Sequence, residues 1–119
     1  MKLKLLRNAT LKLTYGGRTF LIDPDFGPRH SRRSFTGRSE NPMVELPEPI
    51  EDIVAGVDTV IVSHLHADHF DEVAKERIPK GLAVICRPGD EAAIAQAGFS
   101  SITAIDCYVR LGPIILKRH

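Results

Sequence analysis

The first part of the chain alternates. Over residues 2–6 and again over 10–15, polar and apolar side chains take turns, the period of two expected of strands with one covered face. Tyr15-Gly16-Gly17-Arg18 supplies a two-glycine turn, so the second strand should fold back as a hairpin onto residues 19–22. Between Pro24 and Pro49 the pattern stops. Five of the eight prolines fall there with almost no periodicity, which predicts a long Pro-rich loop over residues 24–49. Thr59-Val60-Ile61-Val62-Ser63 is then an unbroken β-branched run, the signature of a buried parallel strand. A helical pattern over 68–78 places Phe70, Val73, Ala74 and Ile78 on one face. Residues 82–86 read as another buried strand, and Asp90 caps a helix that ends at Gly98. Short strands over 102–105 and 114–116 complete the pattern. Strands first, then β-α-β alternation, predict one α/β layer pair in a single domain spanning residues 1–119.

Three of the five histidines lie in one run, Ser63-His64-Leu65-His66-Ala67-Asp68-His69. Histidine and aspartate offer nitrogen and oxygen ligands to a borderline metal such as zinc. If the chain stays extended through His66, then His64 and His66 project to the same side. Asp68 and His69 follow from the turn that opens the next helix. One short segment then offers ligands from a strand end and a helix start, and two adjacent metals could share it: His64 and His66 on one, Asp68 and His69 on the other. Asp68 alone would read as a helix cap, but three histidines beside it favour a metal site.

At these residues the chain resembles the metallo-β-lactamase superfamily. Thr19-Phe20-Leu21-Ile22-Asp23-Pro24 is similar to the family's strand that ends in a buried aspartate beneath the site. Asn41-Pro42-Met43-Val44-Glu45-Leu46-Pro47 is similar to the loop before the first helix in the branch that includes ascorbate-phosphate lactonase. The resemblance runs from about Thr10 to the C-terminus and covers the N-terminal half of the family's domain. It implies an α/β fold, the N-terminal half of an αββα sandwich in which a mixed sheet is covered by helices. It implies one or two divalent ions, zinc or manganese, and metal-assisted hydrolysis that opens a lactone or cleaves another ester-like bond. His64, His66, Asp68 and His69 would be the metal ligands. Asp68 would also position the attacking water and handle the proton passed to the leaving alkoxide. Asp23 would sit behind a ligand histidine, where a carboxylate fixes the ring's tautomer and raises its basicity.

Ligand arithmetic qualifies this reading. Members of the family take a further histidine, a metal-bridging aspartate and a last histidine from downstream sequence. A catalytic zinc takes about three protein ligands plus water, so a two-metal site takes about six; the motif offers four. His119 lies near the place of the next histidine, where fraying of a chain end competes with ligation. The chain is therefore expected to have little or no lactonase activity alone. It should form a homo-oligomer or pair with a missing C-terminal half, either of which would cover an open sheet face. The alternatives are a truncated, catalytically inactive metal-binding half-domain and a phosphodiester-cleaving relative that acts on nucleic acid.

Composition narrows the partners. A net charge of +1 argues against nucleic acid or membrane surfaces. Lys2, Lys4, Arg7 and Lys12 leave no apolar leader segment, and no apolar run approaches the roughly 20 residues that span a bilayer. With 43% hydrophobic and 26% charged residues, the chain reads as a cytoplasmic domain acting on a small-molecule substrate. Cys86 and Cys107 lie in apolar, strand-like stretches and read as free buried thiols. Arg29, Arg32 and Arg33, with Arg38 beyond, are candidate contacts to a phosphorylated substrate, because guanidinium forks match phosphate oxygens. A solvated loop is the plainer reading of them, and of His30 among them. Phe35 could cover such a pocket. Elemental analysis of protein purified without chelator should find a divalent metal among zinc, manganese, iron and nickel. A metal-free protein that also takes up no zinc on titration would contradict the motif reading.

Overall fold

The structure, a computed structural model, describes residues 2–7, 9–27, 32–33, 40–41, 46–65, 70–105, 108–111 and 114–117. In chain order its elements are β1 (Lys2–Arg7), β2 (Thr10–Tyr15), β3 (Arg18–Ile22), β4 (Arg32–Arg33), β5 (Glu40–Asn41) and α1 (Ile50–Val54). β6 (Thr59–Ile61), α2 (Glu72–Arg77), β7 (Ala83–Cys86), α3 (Glu91–Gln96), β8 (Ser101–Ala104), β9 (Tyr108–Leu111) and β10 (Ile114–Lys117) follow. Gly16 and Gly17 take positive φ, 60° and 80°, the conformation that lets a two-residue turn match the twist of its flanking strands. β2 therefore folds back antiparallel on β3, and β1 adds antiparallel on the outside. From β3 onward the pairing is parallel, through β6 and β7 to β8. The result is a mixed six-stranded sheet in the order β1-β2-β3-β6-β7-β8, the α/β architecture expected. Within the Pro-rich segment β4 pairs antiparallel with β5, and β9 forms a hairpin with β10 that the sequence pattern did not announce.

Register assigns side chains to the two faces of the sheet. Leu21, Val60 and Val84 are partners on one face, which continues through Val62 and Cys86. Ile53 of α1, Ala74 of α2, Ile94 of α3 and the loop residues Phe70, Ile78 and Phe99 pack there. Phe70, Ala74 and Ile78 are buried and Val73 packs against the core from the same side, so the expected apolar stripe is borne out. Each Phe or Ile buried this way contributes about 1.5–3 kcal/mol of transfer free energy. The opposite face carries two rows, Leu3, Leu13 and Phe20, and Leu5, Leu11, Ile22, Ile61 and Ile85. Phe20 and Ile85 are buried there, whereas Leu3 and Leu5 on the outer strand are 60% and 65% exposed.

Some boundaries differ from the pattern. The helix expected over 68–78 begins only at Glu72, because Asp71 takes extended geometry and caps it: its Oδ1 accepts from Ala74 N at 2.9 Å. β6 ends at Ile61 rather than Ser63. Asp90 precedes α3 as expected but makes no side-chain cap; its carboxylate accepts from Arg87 Nε at 3.1 Å. Gly98, at φ 105°, follows the end of that helix. Cys86 is buried and free, and burial, aided by Glu91 and Asp90, pushes its thiol up to about 11; Cys107 lies outside the described residues. Among the described residues no helix is long and apolar enough to cross a membrane.

The same Asp71 oxygen also accepts from Phe26 N at 2.9 Å, so it joins the loop after β3 to the start of α2. Asp71→Ala should lower stability by about 2–4 kcal/mol, combining a lost helix cap with a buried N–H left unsatisfied. Asp71→Asn retains an acceptor and should cost clearly less. Urea denaturation of the two variants checks this, and equal losses would contradict the double role.

Candidate metal centre

In open sheets with parallel strands, ligands gather beyond the carboxyl ends of the strands. Here β3 ends at Ile22 and runs into Asp23, while its parallel neighbour β6 ends at Ile61 and runs into Ser63 and His64. The two ends are joined. Asp23 N donates to Ile61 O at 2.8 Å, and the Asp23 carboxylate accepts from Ser63 N at 2.6 Å and from Ser63 Oγ at 2.5 Å. Ser63 Oγ lies 3.0 Å from His64 Nδ1. His64 itself is exposed, just beyond the carboxyl end of β6.

Asp23 adopts φ 48°, a left-handed conformation that aspartate tolerates better than most residues. Its surroundings hold it there. Thr10 Oγ1 donates to Asp23 O at 2.7 Å and accepts from Asp25 N at 3.0 Å. An Arg7 guanidinium nitrogen donates to Asp25 O at 2.6 Å and lies 3.5 Å from Asp25 Oδ1, with both side chains almost fully buried. Removing one member of such a buried pair typically costs about 3–5 kcal/mol, because the other charge is left uncompensated. Phe26 N, finally, is held by Asp71. β1, β2, β6 and the start of α2 thus all grip the segment from Asp23 to Phe26.

Of the expected site residues, the structure brings together Asp23 and His64, with Ser63 between them. The Asp23 carboxylate meets Ser63 N and Ser63 Oγ, and the same hydroxyl touches His64 Nδ1, so a hydroxyl links the aspartate to the histidine. His66, Asp68 and His69 lie outside the described residues, as do Arg29, His30 and His119. Arg32 and Arg33 form β4, opposite Asn41 and Glu40. Among the described residues no group of three metal-binding side chains occurs, since three of the four motif ligands fall outside them. The donor set nevertheless fits a divalent ion: an exposed imidazole with a hydrogen-bonded ring nitrogen, followed within five positions by two more imidazoles and a carboxylate. Sequence reasoning missed Ser63, Thr10, Arg7, Asp25 and Asp71. The one available signal was polar residues at the ends of apolar strands.

Comparison with known proteins places this arrangement. The chain is 38% identical to the UPF0173 protein YddR of Bacillus subtilis (strain 168), an alignment covering 88% of this chain and 43% of that protein. It superposes on the crystal structure of "a possible metal-dependent hydrolase" from Veillonella parvula DSM 2008 with a TM-score of 0.93 and 34% identity, covering 97% of this chain and 46% of the other. An isothiocyanate hydrolase from Delia radicum gut bacteria gives a TM-score of 0.87 and 40% identity, over 93% and 44% of the two chains. The chain thus spans less than half the length of these relatives. The family model described as "Beta-lactamase superfamily domain" matches residues 18–116, which take in β3, the Asp23 turn and the whole histidine motif. The chain belongs to the beta-lactamase superfamily.

Proposed function

We propose that this chain carries the first part of the metal centre of a hydrolase that directs water at an electrophilic carbon. One observation supports this above the others: His64 stands at the carboxyl end of β6, braced through Ser63 by a buried aspartate, in a chain of this superfamily. In this reading His64, His66, Asp68 and His69 hold the ion, zinc or manganese, and one or two in number. A bound ion supplies Lewis acidity and makes its coordinated water a stronger acid. Asp68 orients the attacking water and passes its proton to the leaving group. Arg29, Arg32 and Arg33 are the candidate contacts for a phosphate where a small substrate carries one.

The narrower substrate reading is a lactone or another ester-like bond. A second reading is an isothiocyanate, favoured by the 40% identity to the isothiocyanate hydrolase. Both offer a carbon made electrophilic by its heteroatoms. The free, buried Cys86 suits a reducing, cytoplasmic setting. We also propose that a second copy of the chain, or the further part that its longer relatives carry, covers the sheet face on which Leu3 and Leu5 are exposed.

The chain joined to the remaining part of its Bacillus subtilis relative should hydrolyse lactones or isothiocyanates in a metal-dependent way. The chain alone should be at least about a hundredfold slower, near 2.7 kcal/mol of lost transition-state stabilisation. His66→Ala should abolish the joined protein's activity while leaving its far-UV circular dichroism unchanged. A metal-loaded joined protein inactive on both substrate classes, or a His66→Ala variant that keeps its rate, would contradict the proposal. For the sheet face, sedimentation should show association that Leu3→Lys with Leu5→Lys weakens; a monodisperse monomer at high concentration would contradict it.

A further inference from the structure

Hydrogen counting at Ser63 has a consequence for His64. A serine hydroxyl has one hydrogen to give and two lone pairs to receive with, whereas an ionised carboxylate can only receive. Ser63 Oγ stands 2.5 Å from Asp23 Oδ2, and the neighbouring Oδ1 already accepts from Ser63 N at 2.6 Å. The hydroxyl hydrogen therefore goes to Asp23. With that hydrogen spent, the contact of 3.0 Å between Ser63 Oγ and His64 Nδ1 holds only if the ring nitrogen is the donor. A ring protonated on Nδ1 keeps its lone pair on Nε2, the nitrogen farther from the backbone.

We propose that Ser63 is a positioning residue for the metal centre, which by giving its hydroxyl hydrogen to Asp23 obliges His64 to carry its proton on Nδ1 and to present Nε2 as the ligand. This rests on the reading of His64 as a ligand. The device works only if Asp23 cannot turn away, and the structure supplies that rigidity. Asp23 is 5% exposed, its N–H is bound to Ile61 O, its carbonyl is bound to Thr10 Oγ1, and its φ of 48° is fixed by those partners. The aspartate thus acts on the metal site at one remove. Its charge orients a hydroxyl, and the hydroxyl selects a tautomer. Threonine at position 63 could do the same, whereas alanine could not.

The test is the ring nitrogen spectrum of His64 in metal-free, ¹⁵N-labelled protein in mildly alkaline buffer, assigned with His64→Ala and followed by zinc titration. Wild-type protein should show Nδ1 as the protonated and Nε2 as the unprotonated nitrogen. Ser63→Ala should move the ring toward the opposite tautomer and weaken zinc binding about 10- to 100-fold, the usual scale for losing an outer partner of a metal ligand. Ser63→Thr should restore both. An Nε2-protonated ring in the wild type, or a Ser63→Ala spectrum unchanged from it, would overturn the proposal and leave the metal reading intact. An Nδ1-protonated ring in a wild-type protein that takes up no zinc would remove the metal reading, and with it the role given to Ser63.

Discussion

The backbone between Asp23 and Phe26 leaves the sheet in a left-handed turn and is buried as it does so, which obliges the protein to find internal partners for its polar groups. Those partners come from four places distant in sequence. Arg7 from β1, Thr10 from β2, Ile61 and Ser63 at the end of β6, and Asp71 at the start of α2 each satisfy one part of it. The arrangement ties the antiparallel and parallel halves of the sheet together at their shared edge. It also fixes where the chain stands as it enters the histidine motif. Ser63 and His64 owe their position less to β6, which has ended by Ile61, than to the aspartate across from it.

Much of this could be read from the chain, and the boundary of what could be read is physical. The hairpin was legible because two adjacent glycines allow a turn that few other pairs permit. β6 and β7 were legible because short runs rich in β-branched and other apolar residues are stable only where both faces are covered. The histidine run stands out because its chemistry is local, and of its histidines His64 is the one among the described residues. Partnerships set by tertiary approach were not. Arg7 reads as one more basic residue in an alternating strand, and nothing nearby reveals that Asp25, eighteen positions on, buries with it. Asp71 reads as a helical residue until Phe26 is seen to need its carboxylate. α1 is a single turn whose carbonyl end is held by Lys12, 40 residues upstream, which contacts the Asp52 and Ala55 carbonyls. Ser63 reads as the last residue of a strand, and only the Asp23 carboxylate opposite it reveals its part.

The two faces of the sheet divide the labour. The face toward α1, α2 and α3 is a closed core, in which Phe70 and Phe99 pack with ring centroids 5.9 Å apart. The other face is equally apolar in pattern but unevenly covered, from buried Phe20 and Ile85 at its centre to exposed Leu3 and Leu5 on its outer strand. A sheet written as apolar on both sides belongs in a layered assembly with protein on both sides. This agrees with a chain that spans less than half the length of the relatives it matches.

The central claim is that the edge beyond β3 and β6 delivers histidines to a metal. X-ray absorption at the zinc edge of the zinc-loaded protein addresses it most directly. The account expects nitrogen and oxygen neighbours at about 2.0–2.1 Å with the multiple scattering of two or more imidazoles, and loss of imidazole signal in His64→Ala. A first shell dominated by sulfur at about 2.3 Å, or one that His64→Ala leaves unchanged, would contradict it.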